Sequence, residues 1–247
     1  MSRGIRLHVW GANALFTRPE MKAERVSYDV MTPSAARAIV SSIYWKPQIE
    51  WVIDRIHVLK PIRFMSVRRN EVSAKAVNPK SEALTGNEVD RMGIDIVEDR
   101  QQRASLLLVD VGYVIDAYFN VLKPTVEKNG PALSASECEA KHISMFNRRA
   151  RAGQCFRMPY FGCREFPVSF ELIEEGVPLP PCELPADQRN KDFGFMFHDF
   201  VYREDKKGSI IESNGGRHLV AEARFFRAVA KDGVIDVPPL TGEEVRA

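Results

Sequence analysis

Lys141 and His142 stand side by side in the stretch AKHISMFNRRARAGQCFRMPYFGCRE, Ala140 to Glu165. Arg148, Arg149, Arg151, Arg157 and Arg164 follow, with no acidic residue between Lys141 and Arg164. Histidine is the side chain whose ordinary pKa lets it give and take protons near neutrality. A lysine beside it adds a fixed positive charge, and arginines downstream suit phosphate groups. Proton transfer on a polyanion is the chemistry these types and spacings allow. The competing reading is a surface histidine in a solvated basic helix. A second basic block holds Arg55, Lys60, Arg63, Arg68 and Arg69 without an acid from Arg55 to Asn70. Arg55, His57 and Arg63 alternate opposite Ile56, Val58 and Ile62, which fits either a surface tracking a nucleic-acid backbone or a solvated sheet face.

Cys138 and His142 are spaced i, i+4, with Cys155 and Cys163 beyond them. These could ligate zinc, but no CxxC pair exists and the spacings are irregular, so small buried thiols are the expectation. Four cysteines in 247 residues suggest no disulfide framework. The chain has no Walker A loop, no GxGxxG after a strand, no HExxH and no GxSxG, and its aspartates take no metal-binding spacing. We therefore expect no cofactor and no metal. A metal-free cut of nucleic acid needs an internal nucleophile, and RNA supplies one in its 2′-OH.

The elements that must place these residues are legible in outline. IRLHVWG, Ile5 to Gly11, alternates as a strand. TPSAARAIVSSIYW predicts a helix capped by Thr32, with Pro33 in its first turn and Ala36, Ile39, Val40 and Ile43 as its apolar stripe. Pro47 stops it, leaving Tyr44 and Trp45 at the last turn. Residues Ile49 to Val67 read as a long strand broken near Pro61. Residues 70–103 read as a long loop. ASLLLVDVGYVIDAYFNVL, Ala104 to Leu122, predicts a central strand. SECEAKHISMFNRRARA predicts a second helix, with a capping box at Ser136 and Glu139, a stop at Gly153, and a buried stripe of Ile143, Phe146 and Ala150. Lys141 and His142 then flank the core. A glycine-bearing turn and another strand follow.

The order strand, helix, strand, strand, helix, strand predicts an α+β, ferredoxin-like (RRM-like) domain over residues 1–175. The proline-rich GVPLPPCELP leads into a small antiparallel β-sheet domain over 176–247. In such a fold the two helices lie side by side, bringing Tyr44 near Lys141 and His142. Tyr44 could hydrogen-bond a ribose hydroxyl or stack on a base, or simply pack. Net charge is only +2, so local density rather than total charge speaks for phosphate binding. With no signal-peptide core and no membrane-length apolar run, the expectation is a soluble cytoplasmic protein with no membrane partner.

The segments SSIYWKPQIEWVIDRIHVLKPI, SVRRNEV, QQRASLLLVDVGYVIDAYF, AKHISMF and FGCREFPV, in that order, resemble the subtype I-C (Dvulg) branch of the fifth CRISPR-associated protein family. FFRAVAKDGVIDVP resembles its C-terminal part. The resemblance implies a ferredoxin-like domain followed by a small β-sheet domain. It implies an endoribonuclease that cuts the repeat hairpin of precursor CRISPR RNA without metal and stays with the other subunits of the type I-C surveillance complex. It also implies a catalytic set at Tyr44, Lys141 and His142. Other branches keep the fold without cutting and cap the 5′ handle of the guide, which is the alternative function. On this reading Arg55, Arg63, Arg68, Arg69, Arg148, Arg149, Arg151 and Arg164 hold RNA, and nonspecific duplex DNA binding can accompany them.

Overall fold

The structure is a computed structural model that describes residues 4–21, 24–73, 94–124, 133–211 and 217–247. The elements run β1 (Ile5–Ala14), β2 (Arg25–Val26), α1 (Pro33–Ile43), β3 (Ile49–Val58), β4 (Phe64–Val72), β5 (Arg100–Val121), α2 (Ala135–Arg151), β6 (Ser169–Leu172), α3 (Ala186–Arg189), β7 (Asp192–Ile211), β8 (Arg217–Lys231) and β9 (Val234–Asp236). The fold is mixed, mostly antiparallel sheet with few helices. Its strands lie in the order β6-β1-β5-β3-β9-β8-β7, with β2 and β4 on the early part of β5.

β5 is the spine. Its apolar half pairs with β1 on one side and β3 on the other, and its polar start pairs with β4. Pairing corrects the expected loop over 70–103. Asn70 to Val72 continue β4, Arg100 to Arg103 begin β5, and Val72 faces Arg100. A strand as long as β5 offers its ladder to polar residues that carry no apolar signal of their own. The central part of that predicted loop, residues 74–93, lies outside the described residues.

One sheet face is apolar. Ile5, Leu7 and Val9 of β1, and Tyr113, Ile115, Ala117 and Phe119 of β5, are buried with the α1 stripe Ala36, Ile39, Val40 and Ile43. In β3 the register shifts between Ile53 and Arg55. That bulge moves the buried set from Ile49, Trp51 and Ile53 to Ile56 and Val58. The opposite face is polar but matched. Asp116 accepts from Arg6 Nε at 2.7 Å and is hydrogen-bonded to His57 Nε2 at 3.0 Å. Burial pushes the Asp116 carboxyl up, but these partners outweigh it and hold it below its ordinary value.

The helix ends follow local chemistry. Thr32 caps α1 through a bond from the Ala35 amide, and Pro33 occupies its first turn. The capping box of α2 is Ser134 with Glu137, two residues earlier than the expected Ser136 and Glu139. Gly153 lies just beyond α2 with φ +62°, a left-handed stop. The segment between β6 and α3 is tied to the end of β3. Glu183 N donates to Leu59 O at 2.7 Å, and Lys60 Nζ reaches the Glu183 carboxylate at 2.9 Å. β9 pairs with β3, setting Ile235 against Ile56, so β7, β8 and β9 continue the same sheet. Among the described residues no helix is long and apolar enough to cross a membrane.

Candidate active site

α1 ends at Ile43, and Tyr44 is already extended, with φ −150° and ψ 122°. Its amide still donates to Val40 O at 3.2 Å, so the turn is tight. Trp51 Nε1 donates to the Tyr44 carbonyl at 2.8 Å. The Tyr44 ring is thereby turned beneath α2, where its hydroxyl lies 2.8 Å from His142 Nδ1.

α2 is rolled differently from the expected stripe. Its buried residues are Cys138, His142, Phe146 and Ala150, a strict i, i+4 row. His142 is 2% exposed, and so enters the core rather than flanking it. Two features make this tolerable. The Tyr44 hydroxyl satisfies a ring nitrogen, and the Phe119 ring meets the imidazole edge-on at 5.8 Å. Trp51 closes the floor, packing edge-on against Phe119 at 5.2 Å and Phe146 at 5.1 Å. Ile143, expected in the buried row, is only half-buried.

The electrostatics give the pair a definite state. Burial lowers the His142 pKa below its ordinary 6.5, and the charges of Lys141 and Lys46 lower it further. Burial raises the Tyr44 pKa, opposed by the Arg149 guanidinium. At neutral pH the pair is therefore a neutral imidazole and a protonated phenol. A neutral imidazole accepts a proton. The neighbouring lysines cost the imidazolium stability and favour an anion.

Lys46 is a site residue that sequence reasoning missed. Its only sign in the sequence is its place two residues after Tyr44 and directly before Pro47. Trp45 and Lys46, next in the chain, are exposed, and the Lys46 charge acts on His142.

The other predicted residues are dispersed. Arg55 pairs with Asp236 at 3.3 Å and Asp54 at 3.7 Å, Arg63 with Asp110 at 2.7 Å, and Arg151 with Glu174 at 2.5 Å. Arg69 pairs with Glu165. Arg149 reaches the Ile43 carbonyl at 3.1 Å. Arg68, Arg148 and Arg164 are exposed and have no carboxylate partner among the described residues. The alternating basic strand is thus largely charge-matched by acids from distant segments, which the local sequence does not reveal. Among the described residues, no three or more His, Cys, Asp or Glu side chains group closely enough to hold a metal ion.

A pH prediction follows from the depressed His142. If cleavage needs the neutral imidazole, the acid limb of the single-turnover rate has its midpoint below 6.5 and the rate is level above neutrality. Stability linked to this group behaves in the same direction. It is complete above the unfolded value of 6.5 and is lost as pH falls toward the lowered folded value. An acid limb centred above 6.5 removes His142 from the proton transfer.

Comparison with known proteins places the chain. The family model for CRISPR-associated protein (Cas_Cas5), Cas5d, matches residues 4–238. The CRISPR pre-crRNA endoribonuclease Cas5d of Mannheimia succiniciproducens is 50% identical over 248 residues, covering 100% of both chains. The protein of the same name from Thermus thermophilus is 35% identical over 238 residues, covering 95% of this chain and 91% of its own. A solved CRISPR-associated protein, 21% identical, superposes with a TM-score of 0.58 over 100% of this chain and 97% of its own. With the family model spanning nearly the whole chain and two full-length relatives agreeing with it, the chain belongs to the Cas5d family of CRISPR-associated proteins.

Proposed function

We propose that this protein is an endoribonuclease that cuts precursor CRISPR RNA in its repeat hairpin, without metal, and remains with the guide in the type I-C surveillance complex. The observation that carries the reading is the 2.8 Å contact between Tyr44 Oη and His142 Nδ1, beside the charges of Lys141 and Lys46. The relatives named pre-crRNA endoribonuclease supply the substrate class. His142 takes the proton of the 2′-OH. The 2′-oxygen bonds to the adjacent phosphorus as the bond to the 5′-oxygen breaks, giving a 2′,3′-cyclic phosphate and a 5′-hydroxyl. The leaving oxygen is protonated from a lysine ammonium or solvent. Lys141 and Lys46 balance charge on the phosphoryl oxygens, where a cation is worth more in the transition state than before it. Tyr44 holds the imidazole tautomer and orients the ribose.

The strand order β6-β1-β5-β3 with α1 and α2 supports a ferredoxin-like domain over residues 1–175. β7, β8 and β9 form the smaller addition over 176–247, joined through β9. The exposed Arg68, Arg148 and Arg164 are the phosphate contacts we place first, and they will also hold duplex DNA without sequence preference. The protein acts in the cytoplasm, on the transcript.

A second reading rests on the burial of Tyr44 and His142, 3% and 2% exposed. A sealed Tyr–His pair can serve packing alone, in a subunit that binds the 5′ handle without cutting. One experiment separates the two: cognate repeat RNA is incubated with the pure protein in excess EDTA. Cleavage with a cyclic phosphate end is expected. A shifted but intact RNA favours the second reading, and activity restored by magnesium ends the metal-free mechanism.

A further inference from the structure

Arg149 and Arg148 are neighbours in a basic helix, yet they do different things. Arg148 is exposed. Arg149 folds back, with Nη1 donating to the Ile43 carbonyl at 3.1 Å and the guanidinium carbon 5.8 Å from the centre of the Tyr44 ring. Ile43 is the last residue of α1, and its carbonyl is one of the terminal acceptors that the helix cannot satisfy itself. A cation at that end also meets the negative pole of the helix. The next carbonyl, that of Tyr44, is taken by Trp51 Nε1 at 2.8 Å. Arg149 and Trp51 thus hold the carbonyls on both sides of the Tyr44 Cα, while the Tyr44 amide is held by Val40.

Few rotations are left to Tyr44 once its flanking carbonyls and its ring are fixed. Its hydroxyl is delivered to His142 because its backbone cannot swing. We infer that Arg149 is a positioning residue for Tyr44, acting on the geometry of the reaction rather than on an RNA phosphate. The inference rests on the proposed cleavage reading, and it turns the apparent basic face of α2 into two functions one residue apart.

The test compares variants in single-turnover cleavage at saturating repeat RNA. Arg149→Gln is expected to slow the step about 10²-fold, the order of loss that a misplaced reacting group brings. RNA affinity and its salt dependence stay at the wild-type values. Arg149→Lys, which can still donate to the Ile43 carbonyl, recovers most of the rate. Trp51→Phe slows the step in the same way. Arg148→Gln instead weakens binding and flattens its salt dependence by about one phosphate contact. In a Tyr44→Ala background, Arg149→Gln adds no further loss, because its effect passes through Tyr44.

Labelled-tyrosine NMR gives a readout independent of cleavage. The Tyr44 ring signal, assigned with Tyr44→Phe, shifts in Arg149→Gln, and the hydroxyl titrates at higher pH once the guanidinium is gone. Weakened RNA binding with an unchanged saturated rate and an unmoved Tyr44 signal overturns the inference and returns Arg149 to the phosphates. A loss that persists in full beside Tyr44→Ala overturns it too. If the wild-type protein leaves the RNA whole, the cleavage reading fails while the Tyr44 signal still decides what Arg149 holds.

Discussion

A repeat RNA carrying 2′-deoxyribose immediately 5′ of the scissile phosphate is bound normally and left whole. The change removes one oxygen, and in the proposed reaction that oxygen is the nucleophile. In that reaction no side chain replaces it, because Tyr44 and His142, a neutral hydrogen-bonded pair, are assigned only to proton transfer. Binding survives because backbone phosphates, which the substitution leaves alone, supply most of the affinity. The measurement is a denaturing gel for cleavage and a filter assay for binding on the same preparation. This is the largest effect we expect, with no detectable product against full conversion of the all-ribose control. A deoxy substrate cut at the normal rate would mean attack by water and would end the assignment of His142 as base to the 2′-OH.

Replacement of His142 by alanine lowers the single-turnover rate by about 10²–10⁴-fold, the usual contribution of a positioned acid or base. Affinity for the repeat changes little, since backbone phosphates supply most of it, and the imidazole of the free protein is buried. That burial also complicates the alanine variant. It leaves the Tyr44 hydroxyl without its partner, at a cost of about 1–3 kcal/mol of stability. His142→Gln is therefore the sharper substitution. It can keep a hydrogen bond to Tyr44 but has no basic nitrogen, so stability returns and activity does not. Lys141→Ala slows the step less, because Lys46 supplies a second charge near the same imidazole. Tyr44→Phe asks whether the hydroxyl matters beyond the ring. A fully active His142→Gln protein would place the histidine among the packing residues.

The sequence showed where helices and strands begin better than which way they face. Thr32 and Pro33 act on their own neighbours, so the start of α1 could be read residue by residue, but the helix ends at Ile43, short of the stop expected from Pro47, and leaves Tyr44 extended rather than in its last turn. The central strand announced itself through a run of β-branched and aromatic residues. The roll of α2 could not be read so. Ile143 is the more apolar residue, but the inward place goes to His142 because Tyr44, Phe119 and Trp51, from other segments, offer it a partner and a wall. Tyr44 itself was placed near His142 from helix adjacency alone, and the contact is direct. The basic strand misled in charge rather than in position. Arg55 and Arg63 lie outward as the alternation predicts, but Asp236 and Asp110 meet them from segments remote in sequence. Polar pairing on β5 likewise carried strand into a stretch whose composition reads as loop.

The pairing of β3 with β9 has a bearing on how the chain is made. β5 covers one edge of β3 as soon as the first half of the protein has emerged from the ribosome. The other edge, Arg55 to His57, waits for Val234 to Asp236, which are translated after every other described strand. For most of synthesis β3 is an open edge, the kind of surface on which nascent chains mispair. The waiting stretch begins at the Ile53–Arg55 bulge and carries the exposed charges of Asp54 and Arg55, both features that discourage edge pairing. When β9 arrives, Asp236 meets Arg55, so the charge that turns strangers away becomes part of the pairing that admits the right strand.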